Sequence, residues 1–292
     1  MSWEESVRKR PEGVDIRDIF EDVYSPSNAT QYEAVVGIAW LAELCPERLR
    51  EKEDALIGLI GTLPDYDVLG QQQRNPFTLS GTRMWAMRAV GLYLRIRPDL
   101  FTTLFSMLEE GSRSVQEDAC VALAVATQIG PTYVANVEPT PSSSHYAREW
   151  PKSVSALAHE SDIVSANALY LLAAGVPERC VDASNLVSEL EFQATTGTIK
   201  PGVVPFLREL ALCNPEHASE IVGRLLSLFG DIHDYEGELL VWTLLACKEI
   251  AATNPDAFAD HLTTIRALVD HESPAVERYA SDVLAAVSTE ID

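Results

Sequence analysis

LAELCPERL (41–49), LRIRPDLF (94–101), TQIGPTYV (127–134), AAGVPERC (173–180), ALCNPEHA (211–218) and AATNPDAF (251–258) follow one pattern: an apolar run, a proline, and usually an acid beside it. The prolines are Pro46, Pro98, Pro131, Pro177, Pro215 and Pro255, at intervals of 52, 33, 46, 38 and 40 residues. Proline has no N–H to give and a fixed φ, so it is tolerated in the first turn of a helix and breaks the interior. An acid beside it favours the positive helix end. Each marker therefore ends one helix and opens the next. Nine residues before these prolines stand Gly37, Ala89, Ala122, Ala168 and Ala246, with Phe206 in the remaining repeat. A small residue at one fixed depth lets a neighbouring helix approach closely, as stacked hairpins require.

The periodicity around the markers predicts second helices near 29–45, 82–97, 113–130, 162–176, 202–214, 235–254 and 274–289. First helices are predicted near 46–63, 98–110, 131–137 resuming at 150–159, 177–191, 215–229 and 255–270. The hairpins also repeat in content. SMLEEGSRSVQEDACVALAVA (106–126), ALAHESDIVSANALYLLAAG (156–175) and ALVDHESPAVERYASDVLAAV (267–287) each run from an apolar helix end through a short polar turn to a Val and then to Ala and Leu at helical spacing. In these features the chain resembles the HEAT-repeat α-solenoids, including the PBS-lyase-type HEAT-like repeats widespread in archaea. The resemblance spans about residues 27–292. It implies an all-α fold of about six or seven stacked antiparallel helical hairpins, a HEAT/armadillo-like superhelix. In that family an Asp at the hairpin turn and an Arg after the Val form an internal polar ladder. Here Asp270 fits the first place and Arg83 follows Thr82 in the second, while Gln116, Ser165 and Glu277 stand elsewhere in place of the Arg. Residues 1–26, with one amphipathic stretch from Val14 to Val23, are expected to cap the first repeat, and 27–292 to form a single continuous domain. Insertions at Pro64–Gly81 and Glu138–Glu149 lengthen two of the intervals.

The chain has 292 residues, 47% of them hydrophobic, enough to bury a large core. Its longest clean apolar run, Ala119 to Ala126, is less than half of what a membrane-spanning helix needs. No apolar segment follows the charges of the first eleven residues, so no secretory leader and a cytoplasmic location are expected. The net charge is −22, and only five of the cations are lysines. That balance suits a cytoplasm of molar salt, where self-repulsion is screened within about 3 Å, and points to a haloarchaeal source. The thermal midpoint is accordingly expected to rise between 0.1 and 2 M KCl, a salt-independent midpoint removing the halophilic reading. Residues 151–292 carry net −14 against −8 for 1–150. Hydrogen exchange at low salt should therefore be fastest beyond about Pro215. The five cysteines, Cys45, Cys120, Cys180, Cys213 and Cys247, lack C-x-x-C spacing and lie in or beside apolar runs. They are expected to be reduced thiols acting as small hydrophobes, with no zinc site.

One electrostatic anomaly stands out. From Val68 to Pro98 there is no acid, yet Arg74, Arg83, Arg88, Arg95 and Arg97 all occur. Arg88 and Arg95 share a helical face with Trp85 and Leu92. Arg74, Arg83, Trp85, Arg88 and Arg95 are therefore the candidate binding residues, suited to an acidic peptide, a phosphate or a nucleic-acid backbone. The alternative is that these arginines pair with acids of adjacent helices such as Glu117 or Asp118, and that Trp85 belongs to the core. A second cluster, Asp231, His233, Asp234, Glu236 and Glu238, lacks cation-loop spacing and reads as a solvated turn. His159 and His271 recur in the same His-Glu-Ser triplet, which suggests a turn-forming role. With no nucleophile motif and no phosphate loop, the expectation is a non-enzymatic protein-interaction scaffold without cofactor or metal, binding an unknown protein partner on its concave face. The alternative is nucleic-acid binding, as in the HEAT-like alkylpurine DNA glycosylases, which the chain resembles in size and stacked helical pairs.

Overall fold

The computed structural model describes residues 2–63, 79, 81–127, 143–194, 202–228 and 236–288. Among them every regular element is helical. The predicted corners are present at Pro46, Pro98, Pro215 and Pro255, each of which opens a 3₁₀ turn. The residue before each has nearly the same backbone: Cys45 (φ −147°, ψ 60°), Arg97 (−133°, 62°), Asn214 (−131°, 72°) and Asn254 (−147°, 73°). The pyrrolidine ring crowds the α region of the preceding residue, so the helix must stop there. Three of these residues still close the last turn, since the N–H groups of Cys45, Asn214 and Asn254 donate to Leu41, Leu210 and Ile250 carbonyls at 2.8, 3.0 and 2.8 Å. Pro131 lies outside the described residues. Pro177 is the exception: the helix Asp162–Ala194 passes over it and breaks two residues later at Arg179 (φ −129°, ψ 31°).

The contacts group the chain into two compact units, 1–171 and 172–292, the division falling within that long helix. The first unit holds α1 (Trp3–Lys9), α2 (Ile16–Val23), α3 (Asn28–Leu44), α4 (Glu53–Ile57), α5 (Gly81–Tyr93), α6 (Phe101–Glu110), α7 (Arg113–Thr127), α8 (Ser143–Arg148), α9 (Trp150–Leu157) and the start of α10 (Asp162–Ala194). Its backbone is the stack of second helices, α3 on α5 and α5 on α7. The N-terminal segment is more than the single amphipathic stretch expected. α1 precedes it, and between α1 and α2 lies another proline corner, with Arg10 at φ −149°, ψ 76° before Pro11. This segment is thus two short helices joined by a corner, each packed on α3. Arg48 fastens it by donating to the Pro11 and Val14 carbonyls, the latter at 2.6 Å. Trp3 Nε1 donates to Asp22 at 2.7 Å, and Gln31 Nε2 to the Val23 carbonyl at 2.6 Å.

The first helices are more broken than predicted. The stretch expected at 46–63 is a 3₁₀ turn, Pro46–Lys52, followed by α4. The insertion at 64–81 falls almost wholly outside the described residues, and so does the predicted start of a first helix at 131–137. That helix is seen from Ser143 onward as α8 and α9.

The second unit holds the remainder of α10, then α11 (Val203–Cys213), α12 (Ala218–Ser227), α13 (Glu236–Thr253), α14 (Leu262–Ala267) and α15 (Pro274–Ser288). α11 packs on α12 and α13, and α13 on α15. Phe206, Leu225, Leu244, Ile250 and Phe258 are fully buried between them. Each such side chain contributes roughly 1.5–3 kcal/mol of hydrophobic stabilisation. Successive corners are tied directly, Asn254 Nδ2 donating to the Pro215 carbonyl at 3.1 Å.

One expectation about this unit is corrected. Cys180 and Cys213 are joined by a disulfide, their Cα atoms 6.1 Å apart, while Cys45, Cys120 and Cys247 are free. The partners are 33 residues apart in sequence. Cys180 lies just past the Pro177 break and Cys213 just before the Pro215 corner, and the hairpin packing, which no short spacing reveals, brings them together. The fold is all-α, built of stacked helical hairpins of the α-solenoid kind.

Candidate interaction face

Of the predicted binding residues, Arg83 is turned inward. Its side chain is 8% exposed, and its Nε and Nη2 both donate to Asp118 Oδ1, at 2.9 and 2.7 Å. Nη2 also reaches Glu117 Oε2 at 3.3 Å and the Ser114 carbonyl at 3.3 Å. Asp118 is completely buried, and its second oxygen accepts the Gly61 backbone N–H at 2.7 Å. Gly61 sits at φ +73°, a conformation that favours glycine. Burial pushes the Asp118 carboxyl up, against the downward pull of Arg83 and of that N–H. Burial acts the same way on Glu117, but hydrogen bonds from Ser161, Arg113 and Arg83 outweigh it and hold this carboxyl below its usual range.

These bonds link the end of α4 to α5, α7 and the turn before α10. In that turn His159 Nε2 meets Gln116 Oε1 at 3.0 Å, and its Nδ1 accepts the Ser161 N–H at 3.0 Å. His271 makes the matching bond with the Ser273 N–H at 3.0 Å, so the repeated His-Glu-Ser triplet closes a turn in both places.

Trp85 and Arg88 lie elsewhere on α5, half-buried where it meets α3. The Arg88 guanidinium stands 5.4 Å over the Trp85 ring, and Nη2 donates to Glu43 Oε2 on α3 at 3.0 Å. Trp85 Nε1 donates to the Tyr32 hydroxyl, also on α3, at 3.1 Å. One turn before Glu43 is Trp40, whose ring is covered by the guanidinium of Arg8 at 4.7 Å. Among the described residues Trp40 Nε1 and Arg88 Nε, both buried, meet no acceptor, a condition that costs about 1–3 kcal/mol per group. Arg95 shares this face, burial lowering its pKa against the opposing charge of Glu43. Arg97 instead locks the corner, pairing with Glu53 and with Asp99. Tyr93 donates to the same Glu53 at 2.7 Å, and burial with that contact pushes its hydroxyl up to about 12. Arg74 lies outside the described residues.

The structure therefore brings Trp85, Arg88 and Arg95 together with Glu43 and separates Arg83 from them. It adds Tyr32 and Trp40, which the sequence reading passed over although Tyr32, Trp40 and Glu43 fall at helical spacing along α3. In the second acidic cluster, Asp231, His233 and Asp234 lie outside the described residues, while Glu236 and Glu238 fall in the first turn of α13. Among the described residues no group of three or more His, Cys, Asp or Glu is arranged to hold a metal ion, and no helix is long and apolar enough to cross a membrane.

No known family matches the sequence, and no curated protein does. Solved structures similar to the chain include a designed armadillo repeat protein, 15% identical over 94% of this chain and 100% of that one, with a TM-score of 0.40. Another is a designed armadillo repeat protein in complex with peptide (KR)4, 14% identical over 94% and 100%, TM-score 0.38. A third is an engineered protein, 16% identical over 94% and 96%, TM-score 0.40. The assignment of this chain to the helical-repeat class rests on its own hairpins and corners.

Proposed function

We propose that the chain is a non-enzymatic interaction scaffold that holds a protein partner on the face shared by α3 and α5. The observation that carries this reading is the set of half-buried aromatics with charged caps, Trp40 under Arg8 and Trp85 under Arg88. The two indoles supply rigid apolar area at small entropic cost. Tryptophan and arginine in such settings are the residues whose truncation weakens complexes most.

The test is affinity capture from the source cell in molar salt with the wild-type chain and with Trp85→Ala. A stoichiometric partner is expected, held roughly 10- to 100-fold more weakly by the variant, as for a central aromatic anchor. Recovery of no partner, or equal retention by the two chains, would sink the reading. The same purified protein should give a flat fluorescence-anisotropy titration with duplex and single-stranded DNA. The nucleic-acid alternative needs Arg83 to converge with its neighbours on phosphates, and Arg83 is held by Asp118 and Glu117.

A further inference from the structure

We propose that the Cys180–Cys213 disulfide is a solvent-reachable redox switch that fastens the segment of α10 beyond its break to the end of α11. Both cysteines are half-exposed, in contrast to Cys120 and Cys247, which are fully buried. Cys180 directly follows Arg179, where the helix breaks, and the residues around it are open to solvent, with Val181 78% exposed. Cys213 is the last residue of α11 and abuts the Pro215 corner. A thiolate can approach the sulfurs without prior unfolding. Asn214 Nδ2 also donates to Ser184 Oγ across the same two segments, at a long 3.4 Å. A weak hydrogen bond of this kind does not replace a covalent link that closes a 33-residue separation.

The chemistry balances with a dithiol as reductant. One thiolate of the dithiol attacks a protein sulfur, forming a mixed disulfide and releasing the other cysteine as a thiolate. The second thiol of the reductant then displaces the remaining protein sulfur. Two electrons and two protons pass to Cys180 and Cys213, and the reductant leaves as its cyclic disulfide. In the reduced state this covalent tie is lost, and the helix after Arg179, held by the buried Ala183 and Leu186, opens more often.

The test uses the intact chain with dithiothreitol as the probe. Alkylation of the folded protein before reduction should modify Cys45 alone and leave four cysteines unmodified by mass; after mild reduction Cys180 and Cys213 should react while Cys120 and Cys247 remain protected. Amide exchange in 181–187 and 203–213 should then rise about tenfold or more, with α5 and α7 unchanged. The Cys180→Ser/Cys213→Ser variant should match the reduced protein and ignore dithiothreitol. Two results would overturn the proposal: both thiols alkylating in protein purified without reductant and exposed to air, or an exchange profile in those segments that reduction leaves unaltered.

Discussion

Arg83→Ala is expected to lower the unfolding free energy of the first unit by about 3–5 kcal/mol, because it strips a fully buried carboxylate of its counter-charge. Asp118 is 0% exposed and would keep the Gly61 N–H as its remaining bond from that network. Arg83→Lys should recover little of this, since an ammonium cannot reproduce two parallel N–H donors on one oxygen together with the reach to Glu117 and the Ser114 carbonyl. Replacing the pair at once, as Arg83→Met/Asp118→Leu, should be far milder than the single change, because no buried charge is left unpaired. The variant should also acquire a pH dependence of known sign. Burial already raises the Asp118 pKa, and losing Arg83 raises it further above its value in the unfolded chain. A carboxyl of raised native pKa is stabilising while protonated, and that contribution is lost as pH climbs through the native value. The deficit of Arg83→Ala should therefore deepen from pH 5 to pH 8. Urea denaturation at both pH values measures it. A loss under about 1 kcal/mol, or a deficit that shrinks with rising pH, would mean that water reaches Asp118 and that the pair is not an internal one.

The same network shows where the sequence was legible and where it was not. The corners could be read because proline acts on its own neighbours: its clash with the preceding residue is local and recurs at Pro46, Pro98, Pro215 and Pro255 whatever lies around them. Pro11 obeys the same rule, but the chain before it is too short to show helical periodicity, so only the amphipathic stretch Val14 to Val23 is legible there. The direction in which Arg83 and Arg88 point is a different matter. Both lie on α5, five residues apart, and nothing in their spacing says that one meets Asp118 on α7 and the other Glu43 on α3. That choice depends on which neighbouring helix offers a carboxylate at the right height, a property of the stacking register. The disulfide is hidden for the same reason. Cys180 and Cys213 meet only after two helices have packed, and a search for close spacing cannot find such a pair.

Stacking register also governs the second large effect expected, at Gly91. A Cβ built there would lie 2.5 Å from the Ala122 carbonyl oxygen and 2.7 Å from Val125 Cβ, both on α7. The oxygen is backbone and the valine is β-branched, so neither can swing aside; α5 and α7 must separate, and the packing between them loosens. The sequence pattern pointed to Ala89, nine residues before Pro98, as the place of close approach. Its counterpart Gly37 does sit at such a place, where a Cβ would meet Ile19 and Trp3 at 2.7 and 2.8 Å. Two residues along a helix turn the side chain by about 200°, so the position marked by Ala89 and the position of Gly91 face opposite neighbours. A helix stacked on both sides needs a small residue on each, and a pattern sought at one depth finds one of them. Alanine is a better helix former than glycine by about 1 kcal/mol, which sets the sign of the test. Gly91→Ala should nonetheless destabilise the first unit by about 2 kcal/mol and Gly91→Val by about 3 kcal/mol, the usual range for overpacking a close contact. Gly223→Ala on α12 is the matched control. There the nearest atom to a new Cβ is the His261 ring at 3.1 Å, held by Nε2 to the Ser219 carbonyl at 3.0 Å, and a shift of a few tenths of an ångström relieves it, so the helix propensity should offset the cost and leave a near-neutral change. Thermal unfolding of the three variants decides the matter. If Gly91→Ala is as stable as the parent and as Gly223→Ala, α5 and α7 are not packed at backbone distance, and the small residues in these helices serve some purpose other than close stacking.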